Sequence, residues 1–213
     1  ITSDDHTVVF DKSQYHDSAV VGRYISASEE ELHQAVRIAE ADPDGWRELD
    51  AKSRQKIMMD VAGEFQKSRD DLIGIAAAEV GKVFAETDVE VSEAIDFLNF
   101  YPYSVQKLNA LEGIKTEGKG VGLVISPWNF PLAIFSGQVA AALAAGNAVL
   151  AKPAEQTTLV AFRVVQLMLE AGVPGNVLHF LPGDGATVGG RAVADPRVAG
   201  VAFTGSTETA RLI

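Results

Sequence analysis

The 213-residue chain contains no cysteine, so disulfides, thiolate metal ligands and a cysteine nucleophile are all excluded within these residues. Basic charge is scarce as well: 18 Lys and Arg against 29 Asp and Glu leave a net charge of −11. With nothing basic clustered, a nucleic-acid or anionic-membrane surface is not expected. No apolar run reaches the roughly 18 residues that a membrane helix needs, and the first residues are polar, so neither a span nor a signal peptide is read. The four histidines, His6, His16, His33 and His179, show no ligand spacing, and no metal is assigned. A chain without thiols is compatible with a reducing compartment, and the cytoplasm is the expected location. What remains is an ordinary globular composition, 47% hydrophobic and 22% charged, long enough to bury one sizeable core.

The pattern is densest over residues 121–159. Val121 to Ile125 is a continuous apolar run of strand length, as expected for a strand buried on both faces. Ser126-Pro127-Trp128-Asn129-Phe130-Pro131 then interrupts it, since prolines cannot continue a ladder. Pro131 suits a first helical position, Leu132 to Ala145 reads as a buried Ala-rich helix, and Gly146-Asn147 stops it. Ala148 to Lys152 is a second short strand, ended by Pro153, which completes a βαβ unit. Ligands of open parallel sheets gather beyond the carboxyl ends of strands. Both polar clusters, Trp128-Asn129 and Lys152-Pro153-Ala154-Glu155, fall at such ends.

Upstream, two extended runs are read at Thr7–Phe10 and Ala19–Ile25. Ser28 and Glu31 have the spacing of a capping box, which starts a helix over 29–41 with Leu32, Ala35, Val36 and Ala39 as its apolar stripe. Asp42-Pro43-Asp44-Gly45 is a turn, with Trp46 its anchor on the core. Helices are expected over 51–68, 70–80 and 85–107. The last carries Val89, Ala94, Ile95, Leu98 and Tyr101 among Asp88, Glu90, Glu93 and Asp96, and a solvated face is the default for those four carboxylates. Residues 113–120, GIKTEGKG, nearly match a phosphate loop. Gly120 stands where a hydroxyl belongs, however, and the segment precedes a strand where it should follow one, so it is read as a turn.

Downstream, a helix is expected over 157–171, with Leu159, Phe162, Val165, Leu167 and Leu169 contributing apolar surface, then strands over 177–181 and 198–203. Gly183-Asp184-Gly185-Ala186-Thr187-Val188-Gly189 resembles a dinucleotide fingerprint but is one residue too long. Thr204-Gly205-Ser206-Thr207-Glu208 turns into a helix and is equally compatible with an anion seat and a plain cap. Together these elements predict a doubly wound, mostly parallel α/β sheet preceded by a helical region. Glu155, at a strand end, is placed to accept from ribose hydroxyls and to repel a 2′-phosphate, which favours NAD over NADP. Asn129 can present its amide to a developing oxyanion or simply cap the following helix.

Pro127-Trp128-Asn129-Phe130-Pro131, Lys152-Pro153-Ala154-Glu155-Gln156-Thr157 and Phe203-Thr204-Gly205-Ser206-Thr207-Glu208 together resemble, in order and spacing, the motifs of the aldehyde dehydrogenase superfamily. The stretches at 126–157 and 90–101 are most similar to the Δ1-pyrroline-5-carboxylate (L-glutamate γ-semialdehyde) dehydrogenase domain of bifunctional proline-utilisation A proteins. This resemblance implies NAD as cofactor and an aldehyde as the small-molecule substrate, oxidised to L-glutamate in proline catabolism. It makes Asn129 the oxyanion donor and lines the cofactor with Ile125, Ser126, Pro127, Trp128, Lys152, Ala154, Glu155, Gly185, Gly205 and Ser206. Lys152 and Glu155 would hold the adenosine ribose, Gly185 would lie near the adenine, and Ser206 would meet the pyrophosphate. Phe130 and Glu93 would line the aldehyde side.

The family also needs a cysteine nucleophile and a general-base glutamate, which belong to motifs beyond the Gly-Ser-Thr-Glu turn. The chain therefore reads as the NAD-binding part of a longer enzyme, with residues 1–113 helical, 114–213 a Rossmann-like core and the catalytic domain absent. The fragment alone is expected to be inactive. The resemblance further implies a homo-oligomeric parent and leaves room for a fused proline dehydrogenase domain. Two alternatives stay open: a fragment of another semialdehyde dehydrogenase, such as one for succinic semialdehyde, and a non-catalytic nucleotide-binding module.

Overall fold

The computed structural model describes residues 8–12, for which only the backbone is given, together with 19–114 and 116–213. Thr7 of the first extended run, Lys115 of the 113–120 turn, His6 and His16 lie outside the described residues. An antiparallel hairpin, β1 (Val8–Lys12) and β2 (Val20–Ile25), leads into α1 (Glu29–Ala41). The capping box forms: Glu31 N–H donates to Ser28 Oγ at 3.2 Å, and the Glu31 carboxylate accepts from Ser28 N–H at 2.8 Å. Leu32, Ala35, Val36 and Ala39 are the buried stripe. Trp46 is 1% exposed and donates its indole N–H to the Leu143 carbonyl at 3.0 Å, so the turn is anchored as its sequence implies.

Three helices follow: α2 (Ala51–Lys67), α3 (Arg69–Val80) and α4 (Phe84–Asn109). The remainder alternates as β3 (Val121–Ile125), α5 (Ala133–Ala144), β4 (Ala148–Lys152), α6 (Thr158–Glu170), β5 (Leu178–Phe180), α7 (Gly190–Ala194), β6 (Val198–Phe203) and α8 (Thr207–Ala210). The four strands of this part are parallel, in spatial order β5-β4-β3-β6. Successive crossovers run outward from β3 to β4 to β5, and the chain then returns to the far side of β3. Right-handed crossovers place α5 and α6 on one face and α7 on the other. α1 shares the α7 face, where Arg191 meets Glu29 at 3.3 Å and His33 meets Asp195 at 3.6 Å. α2, α3 and α4 stack outside α5 and α6, so the first half of the chain supplies cover for the sheet and forms one hydrophobic core with it.

The end of α5 illustrates how the layers are joined. Gly146 takes a left-handed φ of +85°, and the Arg54 guanidinium lies about 3.2 Å from where a Cβ would project. Arg54 is only 7% exposed and donates from Nε to the Ala144 carbonyl at 3.0 Å, placing a cation at the helix C-terminus.

Three expectations from the sequence are corrected. Glu90 does not lie on a solvated face: it is 2% exposed, facing the start of α5. Val89, read as apolar filling for the same helix, is 66% exposed. On α6 the stripe is displaced: Phe162 and Leu169 are 46% and 39% exposed, while Val160, Ala161, Val164, Val165, Leu167 and Met168 are buried. Apolar residues lie on two adjacent faces of α6, so periodicity alone could not separate them; packing against α2 and α3 chose between them.

Candidate functional site

The carboxyl ends of β3, β4 and β6 open onto a cleft of about 970 Å³. It lies where the strand order reverses between β3 and β6, the place at which a doubly wound sheet leaves a crevice. The backbone of β3 stops at Ile125, where the Ser126 N–H still reaches the Lys152 carbonyl at 3.4 Å. Pro127 then ends the ladder, and Trp128, Asn129 and Phe130 turn along the cleft rim. From β4 come Lys152, Ala154 and Glu155; from the loop after β5, Gly185; from the loop after β6, Gly205 and Ser206. Twelve of the thirteen residues assigned from sequence thus line one cleft, although they come from four separate segments. Glu93 is the exception. It is exposed on α4 and does not line this cleft, because Glu90 and Val91 take the inward positions of that turn.

Chemistry within the cleft is concentrated at β4. Lys152 is 4% exposed and donates from Nζ to the Pro153 carbonyl at 2.9 Å. Burial lowers its pKa from 10.5, opposed by the nearby carboxylates of Glu155 and Asp184. Glu155 in turn accepts from the Gly185 N–H at 3.0 Å, which ties the end of β4 to the loop after β5. That loop is a single π-helical turn, Gly185–Gly189. Asp184 caps it by accepting from the Thr187 N–H at 2.7 Å and from the Thr187 hydroxyl. These Thr187 bonds lower the Asp184 pKa, the hydroxyl contributing most. The extra residue in the fingerprint-like run is accommodated as this wider turn. Ser206 Oγ accepts from the Thr209 N–H at 3.1 Å, so the capping role of that serine is realised.

Two buried carboxylates outside the sequence motifs cap helices of the sheet half. Glu79 accepts from the Leu159 and Val160 N–H groups at 2.7 and 2.8 Å, and Glu90 from those of Leu132 and Ala133 at 2.8 and 3.0 Å. Each is a carboxylate from the helical half capping a helix of the sheet half. A signal did exist. Glu79 continues the buried Leu72–Ala76 stripe, and Glu90 stands four residues before buried Ala94 and eight before buried Leu98. A charge on an apolar stripe marks a buried partner. Among the described residues no group of three or more His, Cys, Asp or Glu side chains is placed to hold a metal ion, and no helix is long and apolar enough to cross a membrane.

A parallel, doubly wound sheet with a cleft at its switch point defines the α/β class whose ligands bind beyond the carboxyl ends of the strands. The chain belongs to the aldehyde dehydrogenase family, whose model matches residues 1–213. It is 46% identical over 194 residues to the bifunctional protein PutA of Salmonella typhimurium, covering 91% of this chain and 14% of that protein. It is 36% identical to the 1-pyrroline-5-carboxylate dehydrogenase of Bacillus mycoides, covering 97% of this chain and 42% of that one. Among solved structures, proline utilization A from Bdellovibrio bacteriovorus superposes with a TM-score of 0.92 at 34% identity, over 99% of this chain and 23% of that one. The 1-pyrroline-5-carboxylate dehydrogenase from Thermus, solved with bound NAD, gives 0.90 at 32% identity over 100% of this chain and 43% of its own. The chain therefore spans less than half the length of each of these relatives.

Proposed function

We propose that this chain is the NAD-binding part of an aldehyde dehydrogenase that oxidises L-glutamate γ-semialdehyde, the open form of Δ1-pyrroline-5-carboxylate, to L-glutamate. The observation that carries the reading is the convergence of Asn129, Lys152, Glu155, Gly185 and Ser206, distant in sequence, on one cleft at the switch point of the sheet. The PutA and 1-pyrroline-5-carboxylate dehydrogenase relatives supply the substrate class, and the Thermus neighbour with NAD supports the cofactor.

The residues fit such a cofactor. Ser126 Oγ is buried in the cleft wall with no protein partner, leaving a hydroxyl for a ligand to satisfy. At Gly189 a Cβ would lie 3.3 Å from the Lys152 stem, and at Gly185 no atom stands within 4 Å of a Cβ position, so the glycines keep this wall open to a bulky group. Lys152 and Glu155 would hold the adenosine ribose, with the carboxylate repelling a 2′-phosphate. Gly205 and Ser206 would meet the pyrophosphate, with Ile125, Pro127, Trp128 and Ala154 as walls. NAD, when bound, supplies the hydride acceptor. Asn129 would donate its side-chain amide to the oxygen on which negative charge develops, and Phe130 would border the aldehyde. The chain contributes cofactor and oxyanion contacts but not the nucleophile, since it has no cysteine.

Isothermal titration of the chain with NAD and NADP tests this. The expected result is NAD binding that exceeds NADP binding and is lost in Glu155→Ala and in Ser206→Ala. A folded chain that takes up neither nucleotide, or that prefers NADP, overturns the reading.

A further inference from the structure

The Trp128–Phe130 turn is a partition. One side walls the cleft at the strand ends; the other walls a second hollow of about 630 Å³, bounded by Val80 to Lys82 and by Ala85, Glu86 and Val89. Trp128 and Phe130 are 58% and 43% exposed, so packing alone does not hold this wall. Prolines on both sides remove two backbone donors.

The hold comes from the second hollow. Lys82 follows Gly81, whose left-handed φ of +69° ends α3 and brings the lysine back toward the turn. Its Nζ donates to the Asn129 carbonyl at 3.0 Å and sits 4.3 Å from the centroid of the Phe130 ring. The same ammonium pairs with Glu90 Oε2 at 2.5 Å, and the two side chains are only 11% and 1% exposed. The other oxygen of Glu90 accepts from the Leu132 and Ala133 N–H groups just after the turn. One buried carboxylate thus grips the exit of the turn directly and its centre through a lysine. A flexible ammonium becomes a defined donor when a close carboxylate takes up its other valence.

We propose that Lys82 and Glu90 are positioning residues for Asn129: the pair clamps the Asn129 carbonyl and thereby sets the direction in which that residue's amide side chain enters the cleft. The clamp stands on its own geometry, and its consequence for catalysis rests on the oxyanion reading of Asn129. Since Lys82 is already committed to Glu90 and to the turn, it acts through Asn129 and is not itself a substrate ligand.

The chain has two tryptophans, buried Trp46 and rim Trp128, so 5-fluorotryptophan labelling gives a folding control and a turn reporter, assigned by Trp128→Phe. Lys82→Met should shift or broaden the Trp128 resonance and leave that of Trp46 in place; Lys82→Arg should restore it. If Lys82→Met fails to fold, Glu90→Gln carries the same test, because it keeps an acceptor for the two amides while losing the charge that holds the ammonium. An unmoved Trp128 resonance in a folded variant overturns the clamp. For the polypeptide as the cell makes it, Lys82→Met should lower kcat for aldehyde oxidation by roughly ten- to a hundred-fold with KM for NAD unchanged, recovered in part by Lys82→Arg. If Asn129→Ala lowers kcat and Lys82→Met does not, the positioning role is wrong. If Asn129→Ala itself leaves kcat unchanged, the oxyanion reading fails, and the positioning role for catalysis falls with it while the clamp survives on the resonance data.

Discussion

Removing the Glu79 carboxylate tests how the two halves of the chain are joined. Glu79 is fully buried at the end of α3, and its two oxygens take the Leu159 and Val160 N–H groups at 2.7 and 2.8 Å. These are among the four donors that a helix start leaves unpaired, and the Thr157 side chain supplies no cap there. In Glu79→Ala, each orphaned buried donor costs about 1–3 kcal/mol. Leu159 is half-buried and can recover part of that from water. The favourable interaction of a carboxylate with the helix N-terminus, about 0.3–1 kcal/mol, also goes. The net loss is about 2–4 kcal/mol. With an m-value of about 2–3 kcal/mol/M in urea, the unfolding midpoint should fall by roughly 0.7–2 M. Glu79→Gln retains one acceptor oxygen and should lose about half as much. Amide exchange supplies the local readout: Leu159 and Val160 should lose protection more than the centre of α6 does. A midpoint within about 0.2 M of the parent, or unchanged protection at those amides, would refute the claim that α3 caps α6.

Two further outcomes follow from packing and charge. At Gly137 on α5, a Cβ would approach the Phe97 ring to 2.6 Å; Gly137→Ala should therefore cost about 1–3 kcal/mol in thermal or urea unfolding. In a Phe97→Ala background the same change should become neutral or stabilising, because the ring atoms that the new Cβ would meet are gone and alanine is the better helix former. Asp195 is held to a pKa of about 2, below its ordinary 3.8, chiefly by the hydrogen bond from the Arg197 side chain. A depressed carboxylate stabilises the fold fully above its unfolded pKa and loses that contribution as pH falls through the folded value. The stability gap between the parent and Asp195→Asn should thus be constant above about pH 5 and close between pH 4 and 2. A gap that persists at pH 2 would contradict the assignment.

Some of this architecture is legible because its causes are local. The Ser28–Glu31 box needs only three residues of spacing, and the β3–α5–β4 unit needs only the apolar run, the prolines and Gly146. β4 is buried along its whole length, as an unbroken apolar strand implies. The cleft follows from the same information, since motifs at strand ends must gather once parallel strands neighbour one another.

Other features have causes that only distance in space supplies. Val160, Val164 and Met168 are buried on α6 while Phe162 and Leu169 are not, because α2 and α3 cover one of two similar apolar faces. Glu93 and Glu90 are both carboxylates on one helix, three residues apart; the spacing to Ala94 and Leu98 puts Glu90 on the apolar stripe, but nothing local names its partner. The approach of α5 makes Glu90 a buried cap and leaves Glu93 outside the cleft. By itself the sequence determined the order of elements, the strand-end clusters and the residues that line the cleft, because each depends on neighbours along the chain. The tertiary structure alone decided which partners the buried charges meet, which helix face is covered and how Lys82 reaches Asn129. Burial and hydrogen-bond partners belong to pairs of segments, and no single segment carries them.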